Sequence, residues 1–204
     1  MPGRRARPAF RPNPPGAHFL CDRGLIDDLV RSSRAGPGDL VLDLGAGFGA
    51  LTAPLARTGA RVVAIERDPR LVERLQRRFA AAPTVTVVPA DLRWAPLPRL
   101  PFLVVASPPF ALTTLLCRRL LGDRAVRLAG AELILEWGAA RWLSARQPRD
   151  MEQARWAARY EFRLVRRVPA ACFSPEPGSD AGYLSVRPRS TERLLTGRSS
   201  PARR

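Results

Sequence analysis

The chain is predicted to fold as an α/β domain, a Rossmann-like doubly wound and mostly parallel sheet, and three observations carry that prediction. Short apolar runs alternate with helical stretches, the pattern that places helices on both faces of a parallel sheet. The first clear run, residues 40–42, enters a turn with glycine at 45, 47 and 49, where backbone conformations closed to other residues become available. Four runs are followed closely by a polar residue, Asp43, Glu66, Asp91 or Ser107, and ligands of such sheets lie beyond the carboxyl ends of the strands. At 204 residues the chain is long enough for one such domain with a full core.

The elements follow in order. Residues 1–15 carry four arginines, five prolines and no acid; the prolines oppose a transit-peptide helix, so a flexible basic arm is expected. Asp22 is placed to cap a helix whose apolar face is Leu25, Ile26, Leu29 and Val30, ended by Gly36-Pro37-Gly38. A helix is predicted over 50–57, a second strand over 61–65, and a helix from Pro69 with Leu71, Leu75 and Phe79 inward. Proline suits that first turn. Residues 85–88 read as the third strand and 102–106 as the fourth. Ser107-Pro108-Pro109-Phe110 then leads into a helix through Leu112, Leu115, Leu116 and Leu120. A fifth strand covers 131–135, a helical region holds Trp137, Trp142, Met151 and Trp156, and strands lie near 162–168 and 182–186. The tail 189–204 resembles the first arm, which leaves 16–188 as the folded domain.

The charge bounds the partners. There are 34 basic against 18 acidic residues, a net charge of +16, and every basic residue is arginine. Such a surplus implies a polyanion, and nucleic acid is the default because no apolar run approaches membrane-spanning length. Arginines 141, 146, 149, 155, 159, 163, 166 and 167 face only three acids in the same stretch and form a candidate phosphate-binding set. Arg163 and Arg167 would share a face of a strand. Cys21, Cys117 and Cys172 show no metal-ligand spacing and no disulfide framework, which fits a reducing, cytoplasmic setting. No metal site is expected, and the chain is taken as a monomer.

The glycine turn admits two cofactor classes. GAGFGA, ending at Ala50, also satisfies the dinucleotide pattern G-x-G-x-x-G/A. Glu66 stands where an acid after the second strand holds a ribose diol. Asp43 tilts the choice, because a carboxylate beside the turn repels a pyrophosphate but suits the cationic, amino-bearing tail of S-adenosylmethionine.

The motifs GAHFLCD (16–22), DLGAGFG (43–49), Glu66 in AIERD, Asp91 in ADL, SPPF (107–110) and FSPEPGSDAGYLSV (173–186) together resemble class I S-adenosylmethionine-dependent methyltransferases. More narrowly, the chain is similar over about residues 16–188 to the rRNA adenine N6-methyltransferases, the family of the Erm macrolide-resistance enzymes and the small-subunit adenine dimethyltransferases. The resemblance implies S-adenosyl-L-methionine as cofactor, held by His18, Leu20, Asp43, Gly45, Gly47, Glu66, Arg67, Asp91, Leu92 and Ser107. In it Gly45 and Gly47 form the floor, Glu66 holds the ribose hydroxyls, Asp91 accepts from the adenine amino group, Leu92 lies against the ring, and His18 stands near the methionine carboxylate. It implies rRNA as partner, 23S first, and resistance to macrolide-type antibiotics.

Ser107, Pro108 and Phe110 are the implied reaction centre. An exocyclic amine on a base is a poor nucleophile because its lone pair is delocalised into the ring. Acceptors for its two hydrogens, the Ser107 side chain and the Pro108 carbonyl, would draw the nitrogen toward tetrahedral geometry, and Phe110 would stack on the base. Three departures stand out. Ser107 replaces the family's asparagine, and the single asparagine of the chain is Asn13. Ala17 stands where the family usually has glutamine. The helical C-terminal domain of most members has no counterpart before residue 204, as in short members of the family. Ser107 keeps three alternatives open: cytosine N4 as the target, weak activity, or a non-catalytic RNA-binding relative. An NAD(P)-dependent oxidoreductase is disfavoured by Asp43, SPPF and the charge.

Overall fold

The structure, a computed structural model, describes residues 18–189. The basic arm 1–15, residues 16 and 17, and the tail from 190 onward lie outside the described residues. Among the described residues, seven strands form one sheet: β1 (Leu40–Leu44), β2 (Arg61–Glu66), β3 (Val85–Pro89), β4 (Phe102–Ala106), β5 (Leu128–Glu136), β6 (Tyr160–Val168) and β7 (Ala181–Pro188), in the order β3-β2-β1-β4-β5-β7-β6. The first five pair in parallel, and β7 runs antiparallel between β5 and β6. All seven expected strands are present, and β5 is longer than its apolar run.

Strands buried on both faces read as continuous apolar runs rather than alternating ones, and β1 and β4 do so: Val41, Leu42, Leu44 and all of residues 102–106 are buried. Their two faces feed two cores. Val41, Leu103 and Val105 pack with Leu25 and Leu29 of α1 (Arg23–Ser33) and Leu55 of α2 (Thr52–Arg57). Leu42, Val104 and Ala106 pack with Leu116 of α4 (Thr113–Cys117), Leu143 of α5 (Trp137–Leu143) and Trp156 of α6 (Met151–Arg159). The sheet is therefore covered on both sides. Asp22 caps α1 by accepting from the Leu25 N–H at 2.7 Å, as its position before the apolar face predicts.

Three details differ from expectation. In α3 (Pro69–Arg78) Leu75 is buried and Phe79, just past its end, packs inward as expected, but Val72 is buried too while Leu71 faces a cavity. The helix after SPPF changes pitch, with a 3-10 turn at Phe110–Leu112, then α4, then a π-helical turn at Arg118–Gly122. In that last turn Arg119 donates to the carbonyls of Leu92 and Ala95. Finally, β6 has an extra residue at Val165, because Leu164 pairs with Leu184 and Arg166 with Tyr183. A bulge of this kind flips the faces beyond it, so Arg163 shares its face with Arg166 and not with Arg167.

A two-stranded ribbon outside the main sheet was not legible in the sequence. Phe19–Leu20 pairs antiparallel with Phe173–Ser174. It brings the first and last of the sequence motifs into one wall.

Candidate functional site

The site is built at the carboxyl edge of β1, β2 and β4. After β1 the backbone turns through Gly45 (φ 81°) and Gly47 (φ 55°), both in the left-handed region, and the N–H groups of Gly45 and Ala46 donate to the Ile65 carbonyl at 2.9 and 3.0 Å. The missing side chains matter as much as the torsions. A Cβ on Gly47 would stand 2.8 Å from Phe19, and one on Gly45 would stand 3.4 Å from Pro109 and 3.6 Å from the Pro108 backbone. The ribbon closes over one glycine and the SPPF loop over the other. Gly49 serves the packing instead. A Cβ there would meet Leu75 at 2.9 Å, so its absence lets α3 lie against the turn.

The carboxylates on this side are held by the protein itself. Glu66, at the end of β2, accepts from the Gly47 N–H at 3.0 Å through one oxygen, and from the Arg67 and Asp68 N–H groups at 2.8 and 2.9 Å through the other. It thereby ties the glycine turn to the β2 terminus. Asp43 is buried and accepts from the Thr52 hydroxyl at 2.6 Å. Burial pushes its carboxyl up to about 7, with nearby Glu66 adding to the rise and the Thr52 bond opposing it. Asp91 is engaged outward: the Arg93 N–H and guanidinium donate to it at 2.7 to 3.0 Å, and Arg67 reaches it at 3.4 Å. Those bonds hold its carboxyl well below the usual carboxylate range.

The β4 side is different. Ser107 is half-buried, and among the described residues its hydroxyl has no hydrogen-bond partner. Phe110 lies with its ring centroid 6.0 Å from Phe173, edge to face, and 6.3 Å from His18. The His18 Nδ1 lies 2.9 Å from the Pro175 carbonyl, which makes Nδ1 the protonated donor and directs Nε2 away from that contact.

These parts enclose a cavity of about 450 Å³, a volume suited to a nucleoside-sized ligand. Of the sequence-predicted residues, His18, Leu20, Asp43, Gly45, Gly47, Glu66, Arg67, Leu92 and Ser107 line it. Asp91, Pro108 and Phe110 are not among the lining residues: Asp91 is bonded to Arg93, Pro108 is buried, and Phe110 packs against His18 and Phe173. Sequence reasoning passed over Phe19, Phe48 and Leu71, which also line the cavity. The rings of Phe19 and Phe48 lie 4.5 Å apart, with the Arg74 guanidinium 4.8 Å from the Phe48 ring centroid. Each of these two aromatics sits inside one of the sequence motifs, and that was the available signal. No group of three or more His, Cys, Asp or Glu gathers into a metal site among the described residues.

The arginine set is partly redirected. Arg159 is buried and donates to the Leu121 carbonyl at 3.0 Å; it is structural, not a phosphate contact. Arg166 pairs with Asp28 at 3.2 Å and Arg167 with Asp180 at 2.6 Å. Arg141, Arg146, Arg149, Arg155 and Arg163 are exposed.

Residues 13–193 match the model of a family described as ribosomal RNA adenine dimethylase. The chain belongs to that family. Within it, the chain is 42% identical over 182 residues to the mycinamicin-resistance protein MyrB of Micromonospora griseorubida, covering 88% of this chain and 56% of that protein. It is 34% identical to an rRNA adenine N-6-methyltransferase of Corynebacterium diphtheriae, covering 84% and 66%. Among solved structures it is similar to the 23S rRNA methyltransferase ErmE, with a TM-score of 0.77, 28% identity, and 84% and 70% of the two chains covered. A dimethyladenosine transferase from Plasmodium falciparum, at TM-score 0.78 and 21% identity over 87% and 66%, shares the fold. The chain spans between 56% and 66% of the length of these curated family members.

Proposed function

We propose that this chain transfers a methyl group from S-adenosyl-L-methionine to an exocyclic amino group of rRNA, adenine N6 of 23S rRNA first, in the manner its family name implies. The observation that carries the reading is Ser107, which lines the same cavity as Gly45 and whose hydroxyl has no hydrogen-bond partner among the described residues. A polar group so placed is available for a substrate that donates, and an amino group donates.

The cavity fits the cofactor. Its apolar walls at Phe19, Phe48, Leu71 and Leu92 suit a base, and the carboxylates of Asp43 and Glu66 suit hydroxyl and ammonium groups. When bound, S-adenosyl-L-methionine supplies an electrophilic methyl group. Glu66 retains one acceptor site on the oxygen that holds Gly47, enough for a ribose hydroxyl. Asp43, ionised, would balance a cationic tail. On the substrate side the Ser107 hydroxyl and the Pro108 carbonyl accept the two amino hydrogens, so that the nitrogen lone pair is freed from the ring and directed into the cavity. Consecutive prolines keep those acceptors in place, which is catalysis by positioning.

Exposed arginines, together with the basic segments at both ends of the sequence, would neutralise phosphates, and affinity for rRNA should fall steeply with salt. Similarity to a mycinamicin-resistance protein supports a role in resistance to ribosome-directed macrolides. Among the described residues no helix is long and apolar enough to cross a membrane, and the reading places the chain with ribosomes in the cytoplasm, acting as a monomer.

Mass spectrometry of 23S and 16S rRNA from cells with and without the protein tests the proposal. A methylated adenine gained in 23S rRNA is the expected result, and a methylated cytosine would move the target to N4. No gain in either RNA would leave an RNA-binding relative.

A further inference from the structure

Cys21 and Cys172 are 151 residues apart in the chain and meet in the fold. The ribbon pairs Phe19 with Ser174 and Leu20 with Phe173, and just beyond its end Cys21 faces Cys172, the last residue of the 3-10 turn Ala170–Cys172. The Cys21 N–H donates to the Cys172 carbonyl at 2.9 Å, and the Cys21 Sγ lies 3.2 Å from that same oxygen. Opposed residues of an antiparallel pair present their side chains on one face. One bond joins the two backbones, since the Cys172 N–H donates to the Pro169 carbonyl; opposed Cα atoms at the spacing of adjacent strands lie about 4.5–5.5 Å apart, inside the range of roughly 4.4–6.8 Å that a disulfide spans. Cys21 is exposed and Cys172 half-buried. Cys21 also lines the cavity described above. The third cysteine, Cys117, is buried among the apolar residues on the other face of the sheet, where burial pushes its thiol up to about 12.

We propose that Cys21 and Cys172 form a thiol–disulfide exchange site on the cavity rim that reacts with low-molecular-weight disulfides such as oxidised glutathione. The exposed Cys21 gives up its proton and attacks one sulfur of the glutathione disulfide. A Cys21–glutathione bond forms, and one glutathione leaves as a thiolate that takes up a proton. Cys172 then loses its proton and attacks the Cys21 Sγ. The second glutathione leaves, and the Cys21–Cys172 disulfide remains. Two protein thiols are oxidised and one disulfide is reduced to two thiols, so the balance closes without a further oxidant. Burial and the neighbouring Asp22 raise the Cys172 thiol while Arg166 opposes them, which suits Cys172 to the second, resolving step. The bond would cross-link the ribbon that carries Phe19 over Gly47 and His18 against Pro175, fastening one wall of the cavity to the 173–186 motif. None of this depends on what the cavity binds.

The full chain, folded, is exposed to oxidised glutathione, quenched by alkylation and mapped by peptide mass spectrometry without reduction. The parent should show the Cys21 and Cys172 peptides joined, Cys117 alkylated after unfolding, and no lasting glutathione adduct. The Cys172→Ser variant should retain one glutathione on Cys21, and Cys21→Ser should react at least about tenfold more slowly. The oxidised parent should melt about 5–10 °C higher than the reduced one, because the bond closes a long loop. A stable adduct on Cys21 of the parent, a bond that includes Cys117, or joining only in denaturant would overturn the proposal.

Discussion

The two halves of the cavity are built on opposite terms. On the β1–β2 side each carboxylate already has its partners: Glu66 holds three backbone N–H groups, Asp43 holds Thr52, and Asp68 holds the Arg70 N–H. On the β4 side the Ser107 hydroxyl has no partner among the described residues, and the neighbouring Phe110 makes ring contacts with His18 and Phe173. Buried polar groups are costly unless they are bonded, so the first half keeps its shape without a ligand. The second half keeps an acceptor in reserve. A fixed cradle facing an uncommitted acceptor is the arrangement expected where a tightly placed cofactor meets a substrate that arrives from outside.

The largest test of that contrast is Glu66→Ala. Hydrogen bonds to a charged group contribute about 1.5–3 kcal/mol each, and this carboxylate makes three. Its removal should loosen the glycine turn, lower the melting temperature by several degrees, and weaken S-adenosylhomocysteine binding about 100-fold or more by calorimetry. NAD and NADP should stabilise neither form against heat. A loss of affinity below about tenfold would show that the turn is held by its backbone alone, and the contrast between the halves would fail.

A smaller effect sharpens the same comparison through pH. The Asp43 carboxyl is raised by burial from its ordinary 3.8 to about 7 in the fold, so between those values the folded chain binds more protons than the unfolded one. The stability it contributes is complete below about pH 4, falls as pH rises, and is lost through about pH 7. Cofactor binding should move the other way, tightening as Asp43 ionises to meet a cationic tail. In Asp43→Asn, melting curves from pH 4 to 8 should lose that slope, and cofactor affinity should lose its rise near pH 7. A slope unchanged in the variant would assign it to another group.

Much of the fold was legible because its signals are local. The buried runs of β1 and β4, the Asp22 cap, Pro69 in the first turn of α3 and the glycine turn each lie within a few residues of what they determine. The polar residues at the strand ends were legible for the same reason, since a parallel sheet carries them all to one edge. What escaped depends on distant pairing. Two residues at 19–20 have no periodicity to betray a partner at 173–174, so the ribbon, the meeting of Cys21 with Cys172 and the closure of Phe19 over Gly47 were hidden. One bulged residue at Val165 moved Arg167 to the other face, and Arg93 drew the Asp91 carboxylate outward with a bond that strand patterns do not encode.

The central claim is that Ser107 is a working acceptor, and single-turnover methyl transfer to 23S rRNA by the parent, Ser107→Ala and Ser107→Asn tests it most directly. The interaction strengthens as the target nitrogen rehybridises, so its loss should fall on turnover and not on binding. Ser107→Ala should lower the rate by about 10²–10³, by analogy with loss of an oxyanion-hole donor, while cofactor and RNA Kd values stay within about twofold. Ser107→Asn, which restores the family pattern, should keep or raise activity on adenine. Parent-like turnover in Ser107→Ala, or transfer detectable only in Ser107→Asn, would contradict the claim.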